Sequence, residues 1–401
     1  MKKALEAVLP DQAVARALRE YSLPEGKLVL VAIGKAAWQM SKTAVEILGE
    51  KLTGGIVITK YEHSKGPLNN LEIWEAGHPV PDANSYKATA RAVDMVKDLG
   101  DKDQVVFLIS GGGSALFEDP LISAEELESL TGQLLKAGAD IVEINTLRKR
   151  LSAVKGGRFA ELCAPAKVYA IVLSDIIGDP LDMIASGPAY PDSSTAAMAA
   201  DIIAKYKLKL SPKAQRLMEV ETPKELHNVT TVITGSVREL CKAGSEACRA
   251  CGYEPIILTD SLTCEAKDAG SFLGAIGRYH SNTDKPLAFL AGGETVVKIL
   301  GRGKGGRNQE MAIAAAAKIA DLSNVAMLSF GSDGTDGPTD AAGGFVDGST
   351  VQALANQGLT VDEVLAENNA YVALVKSGGL LKTGATGTNV NDLSLVLIAK
   401  K

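Results

Sequence analysis

Short apolar runs alternate along this chain with longer stretches in which apolar residues recur at helical spacing. The run Leu28–Ile33 is followed by the helix-like stretch 36–48, and the run 105–109 ends in a cluster of glycines. Short apolar runs between turn signals are typical of buried strands, whereas helices are longer and periodic. Strands that alternate with helices are typical of α/β proteins with a largely parallel sheet. We therefore predict an α/β fold.

The predicted strands fall into two groups, separated by polar, proline-bearing sequence at 211–228. We place a boundary near Glu225, which gives a Rossmann-like domain at 1–225 and a second α/β domain at 226–401. The first group of predicted strands is 28–33, 55–59, 71–75, 105–109 and 168–173. The second group is 230–234, 254–258, 287–291, 295–300 and 325–330, with a closing strand at 391–399 that could return to either domain.

The composition suits large apolar cores, because 46% of the 401 residues are hydrophobic and 22% are charged. The formal net charge of −6 leaves no general basic face for nucleic acid or an anionic membrane. No apolar run is long enough to span a bilayer, and Glu6 lies too early for a signal peptide. Five cysteines favour reduced thiols over a disulfide framework. We expect a cytoplasmic protein, and the oligomeric state stays open.

Glycine makes up 40 of the 401 residues, and the glycines gather where predicted strands end. Without a Cβ, the backbone N–H groups of such a turn can approach an anion closely. The turn after strand 105–109 is therefore expected to hold a phosphate or a carboxylate, although a tight turn without a ligand fits the same pattern. Its residues are Ser110, Gly111, Gly112, Gly113 and Ser114.

Several cations stand beside glycines or strand ends. Lys35 follows the first strand and opens a helix, a position that favours an anion and where α/β proteins bind ligands. Lys155 and Arg158 flank a glycine pair and are expected to contact phosphate. The neighbouring Lys149 and Arg150 are better explained as a solvated helix face.

Carboxylates follow other predicted strands. Asp175 and Asp179 come after strand 168–173, and Asp333 lies in the acidic, glycine-rich segment 331–340. A carboxylate at a strand end can bind Mg²⁺ or accept a proton from a substrate hydroxyl. Asp also caps helices and turns, so structural roles remain alternatives. We favour a catalytic role near strand 168–173 and a metal-bearing loop at 331–340.

A literal G-x-G-x-x-G run at Gly301, Gly303 and Gly306 follows a predicted strand and leads into a helix. That pattern matches a dinucleotide fingerprint. However, the run contains or adjoins Arg302, Lys304 and Arg307, and no clear acidic residue ends the next strand. Several cations in one loop suit a polyphosphate or a transferring phosphoryl group better than a dinucleotide.

Together, several segments resemble the glycerate 2-kinase family with a MOFRL carboxyl-terminal domain. They occur in the family's order, from about Gly34 to the end of the chain, and some are long. The segments are Ile33-Gly34-Lys35-Ala36, Gly77-His78-Pro79-Val80-Pro81-Asp82, Leu108 to Leu116, Leu173-Ser174-Asp175 with Ser186-Gly187-Pro188, Gly292-Gly293-Glu294, Gly306-Arg307-Asn308-Gln309-Glu310 and Gly331 to Gly337.

The resemblance implies a Rossmann-like amino-terminal domain, a smaller α/β MOFRL domain and an interdomain cleft in which ATP phosphorylates D-glycerate with Mg²⁺. In the mechanism that we expect, Lys35 and Arg307 stabilise the transferring phosphoryl group, and Asp175 orients or deprotonates the attacking hydroxyl. The Ser110–Ser114 turn and Lys155 would hold the glycerate carboxylate or a phosphate. The residues expected near nucleotide or metal are Gly292, Gly293, Glu294, Asn308 and Asp333.

Two other functions remain open at this point. Some members of the family carry the label hydroxypyruvate reductase, and the G-x-G-x-x-G run would suit an NAD(P)H-dependent enzyme. A strand followed by Ser-Gly-Gly-Gly-Ser also resembles non-catalytic phosphosugar-binding regulators. The sequence does not decide between the 2- and 3-hydroxyl of glycerate.

Overall fold

The computed structural model describes residues 1–178 and 180–401, and Asp179 lies outside the described residues. The described residues form two compact units, each with its own six-stranded sheet. The parallel-sheet unit comprises Ala13–Leu173 and 180–234, and the mixed-sheet unit comprises Met1–Gln12, Ser174–Gly178 and Gly235–Lys401. The units are therefore not divided near Glu225, because the chain passes between them more than once.

The parallel-sheet unit has the strand order β3-β2-β1-β4-β5-β6. Strands β1 to β5 pair in parallel, and the order reverses between β1 and β4. In open α/β sheets, ligands bind beyond the carboxyl ends of the strands at such a reversal. The strands are β1 (Leu28–Ile33), β2 (Gly54–Lys60), β3 (Leu71–Ala76), β4 (Gln104–Ile109), β5 (Lys167–Leu173) and β6 (Val229–Gly235).

The four inner strands of this sheet, β2, β1, β4 and β5, are mostly buried because helices cover them. All six residues of β1 are buried, and they pack with apolar residues of the neighbouring strands and helices. The predicted strand 230–234 forms as β6, but it joins this sheet beside β5 rather than opening a second domain. Helices α1 to α10 are Lys2–Ala7, Pro10–Arg19, Ala37–Leu48, Ala83–Val96, Gly113–Leu116, Ala124–Lys136, Ile141–Arg150, Arg158–Leu162, Ala196–Tyr206 and Pro212–Met218.

The mixed-sheet unit has the strand order β11-β10-β9-β12-β8-β7. Strands β7 and β8 are parallel, and the other pairs are antiparallel. The closing strand lies between β8 and β9, within this unit. The strands are β7 (Glu254–Leu262), β8 (Leu287–Gly293), β9 (Val325–Gly331), β10 (Gly343–Asp347), β11 (Leu380–Leu381) and β12 (Asp392–Ile398).

One predicted strand of this unit was wrong. Residues 295–300 form no strand beyond a single bridge between Val296 and Glu265. The apolar side chains of Val296, Ile299 and Leu300 are exposed instead of packed in the sheet. Helices α11 to α16 are Val237–Ala250, Ala266–Tyr279, Arg307–Ile319, Thr350–Ala355, Val361–Ala366 and Ala370–Ser377.

Helix α13 is the central helix of the mixed-sheet unit. Most of its residues are buried, and Met311, Ala315 and Ile319 belong to the main apolar core. Packing therefore fixes the position of its first turn, and Arg307 is the first residue of that turn. In the described part of the chain, none of the helices has the length and apolar character needed to cross a bilayer.

Candidate functional site

In the parallel-sheet unit, the turns after β1 and β4 are bonded to each other. The backbone N–H of Ser110 donates to the Ile33 carbonyl at 3.0 Å, and that of Lys35 donates to the Gly111 carbonyl at 2.9 Å. The Ser110 hydroxyl also accepts the N–H of Ala36 at 3.1 Å. The structure thus brings Lys35 and the Ser110–Ser114 turn together at the point where the strand order reverses.

Gly112 lies between two side chains that face this turn. Its φ is +88°, and a Cβ there would lie 3.0 Å from Cδ2 of His78 and 3.3 Å from Cγ of Lys35. A side chain at this position would therefore be strained and would displace both neighbours. The ammonium of Lys35 forms no ion pair with any described residue, so it remains available to an anion.

His78 is a candidate site residue to which the sequence analysis gave no role. Burial lowers its pKa below the usual value, and the positive charges of Lys35 and Lys60 together with His63 lower it further. His78 therefore carries a neutral imidazole near neutral pH, which can accept a hydrogen bond. A signal was present, because His78 follows predicted strand 71–75 just as Lys35 follows strand 28–33.

The far end of the turn is fixed by a chain of polar side chains. The hydroxyl of Ser186 donates to Oδ1 of Asn145 at 3.0 Å and lies 2.7 Å from the hydroxyl of Ser114. Ala185 and Ser186 have φ values of 51° and 62°, an unusual left-handed backbone for residues other than glycine. A Cβ at Gly113 would lie 2.7 Å from that of Ala185. The two loops are thus held in close contact.

Lys155 does not face the anion site, and the prediction that it contacts phosphate is corrected. Its ammonium is fully buried and donates to the carbonyls of Ser114 at 2.7 Å and Phe117 at 2.8 Å. It also lies 3.5 Å from the buried Glu118 carboxylate. Burial lowers the pKa of Lys155 to about 8. Its role here is to hold the end of α5.

Lys149, Arg150 and Arg158 were also placed incorrectly by the sequence. Lys149 and Arg150 are buried rather than solvated, because Lys149 lies 3.0 Å from the buried Asp192 carboxylate and Arg150 donates to Ser194. Arg158 donates to the carbonyls of residues 149, 150 and 152, at the end of α7. These cations are held by the chain's own oxygens.

In the mixed-sheet unit, Arg307 is the first residue of α13 and pairs with two carboxylates. Its Nε and Nη2 donate to the two oxygens of Asp392 at 2.5 and 3.0 Å. Its Nη1 lies 3.1 Å from Glu294 Oε1. Burial raises the pKa of Asp392 to about 6, although the bonds from Arg307 oppose the shift. Arg307 is thus oriented by a buried carboxylate.

In the G-x-G-x-x-G run, the N–H groups at the first two glycines bond within the chain. The N–H groups of Leu300 and Gly301 donate to Oδ1 of Asn368 at 2.8 and 2.9 Å, and the N–H of Gly303 donates to the Glu367 carbonyl at 2.7 Å. A dinucleotide fingerprint needs such groups free for pyrophosphate. These bonds favour the interpretation that this loop serves a polyphosphate or a phosphoryl group rather than a dinucleotide.

Three residues expected near nucleotide are instead packed inside the unit. A Cβ at Gly292 would collide with Val237 and Cys241 of α11, and one at Gly293 would collide with the backbone of Leu262. Asn308 is fully buried, and its Oδ1 accepts the hydroxyl of Ser329 at 2.6 Å. Close packing explains these glycines and this amide without a ligand.

Asn308 and its neighbour Gln309 are held by one buried carboxylate. The N–H groups of Asn308 and Gln309 donate to Asp336 at 3.1 and 2.9 Å. This carboxylate therefore caps the first turn of α13. The cap keeps Arg307, one residue earlier, in a defined position.

Asp175 and Asp333 lie in loops of the mixed-sheet unit. The Asp175 carbonyl accepts the amide of Asn391 at 3.1 Å, and the same amide donates to Glu294 at 3.0 Å. Asp333 is half-buried, and its Oδ1 accepts the N–H of Thr335 at 2.9 Å. Within residues 1–178 and 180–401, no group of three or more His, Cys, Asp or Glu side chains has metal-holding geometry. Asp179 lies outside the described residues.

A cavity of about 640 Å³ opens beside the first turn of α13. Arg307 and Glu294 line it, as do the glycines of the 303–306 loop. The apolar part of the lining is Ile177, Val296, Val297, Ile299, Pro338 and Ala370. A cavity of this size accommodates a small organic ligand.

Comparison with known families gives two matches along the chain. Residues 1–219 match a family described as a domain of unknown function (DUF4147), and residues 287–392 match the MOFRL family. The first match covers more than half of the chain.

Similar proteins carry two kinds of name. The chain is 52% identical to D-glycerate 2-kinase of Thermotoga maritima, over 99% of this chain and 96% of the relative. It is 40% identical to glycerate 2-kinase of Pyrococcus horikoshii, over 100% of this chain and 96% of the relative. A putative hydroxypyruvate reductase of Agrobacterium vitis is 35% identical, over 93% of this chain and 100% of the relative.

Solved structures have the same fold. The crystal structure of glycerate kinase from Thermotoga maritima has a TM-score of 0.95 at 51% identity, and covers 99% of this chain and 97% of that one. A Pyrococcus horikoshii protein has a TM-score of 0.94 at 40% identity, and covers 100% of this chain and 97% of that one.

Proposed function

Because this chain belongs to the glycerate 2-kinase family, we propose that it transfers the γ-phosphoryl group of ATP to the 2-hydroxyl of D-glycerate. The observation that carries the proposal is the first turn of α13. There Arg307 lines a nucleotide-sized cavity, whereas the N–H groups of Gly301 and Gly303 in the run before it bond within the chain. A cation at this position, beside a glycine run whose first two glycines already use their N–H groups, supports a kinase over a nicotinamide-dependent reductase.

Arg307 would stabilise the charge that develops on the transferring phosphoryl group. Asp392 holds its Nε edge, which leaves the Nη1 side, now beside Glu294, to meet phosphoryl oxygens. A guanidinium fixed in this way needs no reorganisation during transfer, which makes its charge more effective. The incoming phosphate would displace the Glu294 carboxylate from Nη1 of Arg307.

Lys35 and the Ser110–Ser114 turn would supply the contacts to a second anionic group, either the glycerate carboxylate or a phosphate. The ammonium of Lys35 has no carboxylate partner among the described residues, and Gly112 keeps the backbone open beside it. The neutral His78 would accept a hydrogen bond from a substrate hydroxyl. Asp175 keeps its proposed role in orienting or deprotonating the attacking hydroxyl.

Mg²⁺ would enter as part of the MgATP substrate. This ion usually keeps its waters and binds one or two carboxylates together with substrate phosphates. We propose Asp333 for such a role, because its half-buried carboxylate lies in the acidic, glycine-rich segment 331–340. The ion neutralises phosphate charge, and the protein residues orient the reacting groups.

A paired assay tests the proposal. ADP release with D-glycerate and NADH oxidation with hydroxypyruvate are measured on the same preparation, and we expect activity only in the first. The ³¹P signal of the product, split by one proton at carbon 2 or by two at carbon 3, identifies the hydroxyl. NADH oxidation at an enzymic rate without ADP release would contradict the proposal.

A further inference from the structure

The cavity beside α13 contains two polar groups that the proposed phosphoryl transfer does not use. Glu310 is 4% exposed, and its Oε2 accepts the amide of Asn368 at 3.1 Å. Thr295 is 3% exposed, and its hydroxyl has no hydrogen-bond partner among the described residues. Both residues line the cavity. A buried polar group without a partner is costly, and a bound ligand can remove that cost.

We propose that this cavity holds the base and ribose of the phosphoryl donor, and that Glu310 accepts a hydrogen bond from an exocyclic amine of the base. The inference rests on the proposed kinase function and specifies the nucleotide site of that function. Thr295 supplies a second polar contact to the nucleoside.

The walls of the cavity suit a flat aromatic ring. Val296 and Ile299 line the cavity, and these two residues are 56% and 79% exposed to solvent. Exposed apolar side chains around a cavity indicate a surface that a ligand covers. These residues are the ones predicted as a strand, so their apolar character serves the cavity and not the sheet. A purine packed between them would bury this surface.

The order of groups along α13 matches a nucleotide. Arg307 and Glu310 are three residues apart, so their side chains share one face of the helix. The phosphates would meet the guanidinium of Arg307, and the base would lie toward Glu310. Burial raises the pKa of the Glu310 carboxyl, while the bond from Asn368 opposes that change.

Glycerate itself is a poor match for this cavity. It is a small anion, whereas the cavity has apolar walls and the two carboxylates of Glu294 and Glu310. The carboxylate of Glu310 would repel an acid substrate placed beside it. An uncharged base with a donor amine meets no such repulsion, and its amine gains an acceptor.

The first test separates the nucleoside from its phosphates. Calorimetry on the full-length chain measures binding of the ATP analogue AMP-PNP and of inorganic tripolyphosphate, each with Mg²⁺. The double variant Val296→Ala/Ile299→Ala should bind AMP-PNP at least about tenfold more weakly, because apolar contact is lost. Its affinity for tripolyphosphate should remain unchanged. Val375→Ala is the control, because Val375 is exposed on α16 and does not line the cavity.

The second test concerns the amine of the base. Wild type should prefer ATP to purine riboside triphosphate, which lacks the amine, by about tenfold or more in kcat/KM. Glu310→Gln should reduce this preference at least about threefold, because the neutral acceptor is weaker. Glu246→Gln makes the same chemical change at an exposed position on α11 and should leave the preference unchanged.

The variant Thr295→Val separates a role in ligand binding from a role in protein stability. Replacing an unpartnered buried hydroxyl by a methyl should leave the free protein as stable as wild type, or more stable, in urea unfolding. Affinity for AMP-PNP should nevertheless fall. Thr295→Ser retains the hydroxyl and should restore most of the affinity.

The outcomes distinguish this inference from the proposed function. Equal binding of AMP-PNP by wild type and the double variant would overturn the inference, as would equal losses for both ligands. If these variants have no effect while wild type phosphorylates D-glycerate, the inference alone fails. If wild type neither binds AMP-PNP nor phosphorylates D-glycerate, both fail.

Discussion

Arg307 and Asp392 form a two-pronged pair in which Nε and Nη2 of the guanidinium donate to the two carboxylate oxygens at 2.5 and 3.0 Å. Asp392 is only 4% exposed, whereas Arg307 lies at the edge of the cavity. A paired buried carboxylate of this kind orients a cation without neutralising its whole donor surface. The pair therefore connects the sheet, through β12, to the residue proposed to contact the phosphoryl group.

Arg307→Lys should lower kcat for ADP formation from D-glycerate by about 100-fold or more. Lysine keeps the charge but cannot bond both oxygens of Asp392 in a planar fork while also reaching a phosphate. The assay is ADP release at saturating substrates. Arg302→Lys, an exposed change in the same loop, is the control. Turnover within about threefold of wild type would remove Arg307 from the mechanism.

Lys35→Ala should also lower kcat by about 100-fold or more while the fold remains intact. The lost group is an ammonium that pairs with no described carboxylate, so little native structure depends on it. Steady-state kinetics and circular dichroism together check this expectation. Lys42→Ala on α3, the helix that follows Lys35, should change neither measurement, because Lys42 pairs at the surface with Glu46.

Asp392 should contribute a pH dependence to stability. Its pKa is about 6 in the folded chain against an ordinary 3.8, so the folded state binds its proton more tightly. Stability from this group is therefore full below about pH 4 and is lost as the pH rises to about 6, by about 1 to 3 kcal/mol. Asp392→Asn should remove this slope from the free energy of unfolding in urea measured between pH 4 and 7. An unchanged slope would contradict the assignment.

Lys155→Met should destabilise the fold rather than weaken anion binding directly. The change leaves the Ser114 and Phe117 carbonyls without their donor and Glu118 without this partner, at a cost of about 3 to 5 kcal/mol. Urea unfolding measures the loss. Lys136→Met at the exposed end of α6 should cost little. A stable Lys155→Met variant that had lost only its affinity for glycerate would restore the anion-contact role.

The junction of β1 and β4 could be predicted from sequence because both strands are continuous apolar runs that end in glycine and polar residues. Parallel strands bring such ends to one edge, so Lys35 and Ser110 meet as expected. The burial of Lys149 could not be predicted in this way. Its partner Asp192 lies 43 positions away, and only the fold brings the two together.

The residues expected near nucleotide show a second limit of prediction from sequence. Gly292 and Asn308 occur in motifs that also suit ligand binding, but tight packing against α11 and a buried hydroxyl network account for them. Val296 and Ile299 were predicted to lie in a strand but line a cavity instead. An apolar run that lines a cavity has the same sequence pattern as a buried strand. His78 was missed because one histidine after a strand is a weak signal without its neighbours Lys35 and Gly112.

The first helix packs on residues that are synthesised much later. Leu5 and Val8 lie in one apolar cluster with Leu240 of α11 and Leu393 of β12, and the Val8 carbonyl accepts the hydroxyl of Thr388 at 2.9 Å. On the ribosome, this helix must therefore wait for nearly the whole chain before it can pack, whereas the parallel sheet lacks only β6 once residue 173 has emerged. A deletion at the amino terminus would damage the unit that contains the carboxyl terminus.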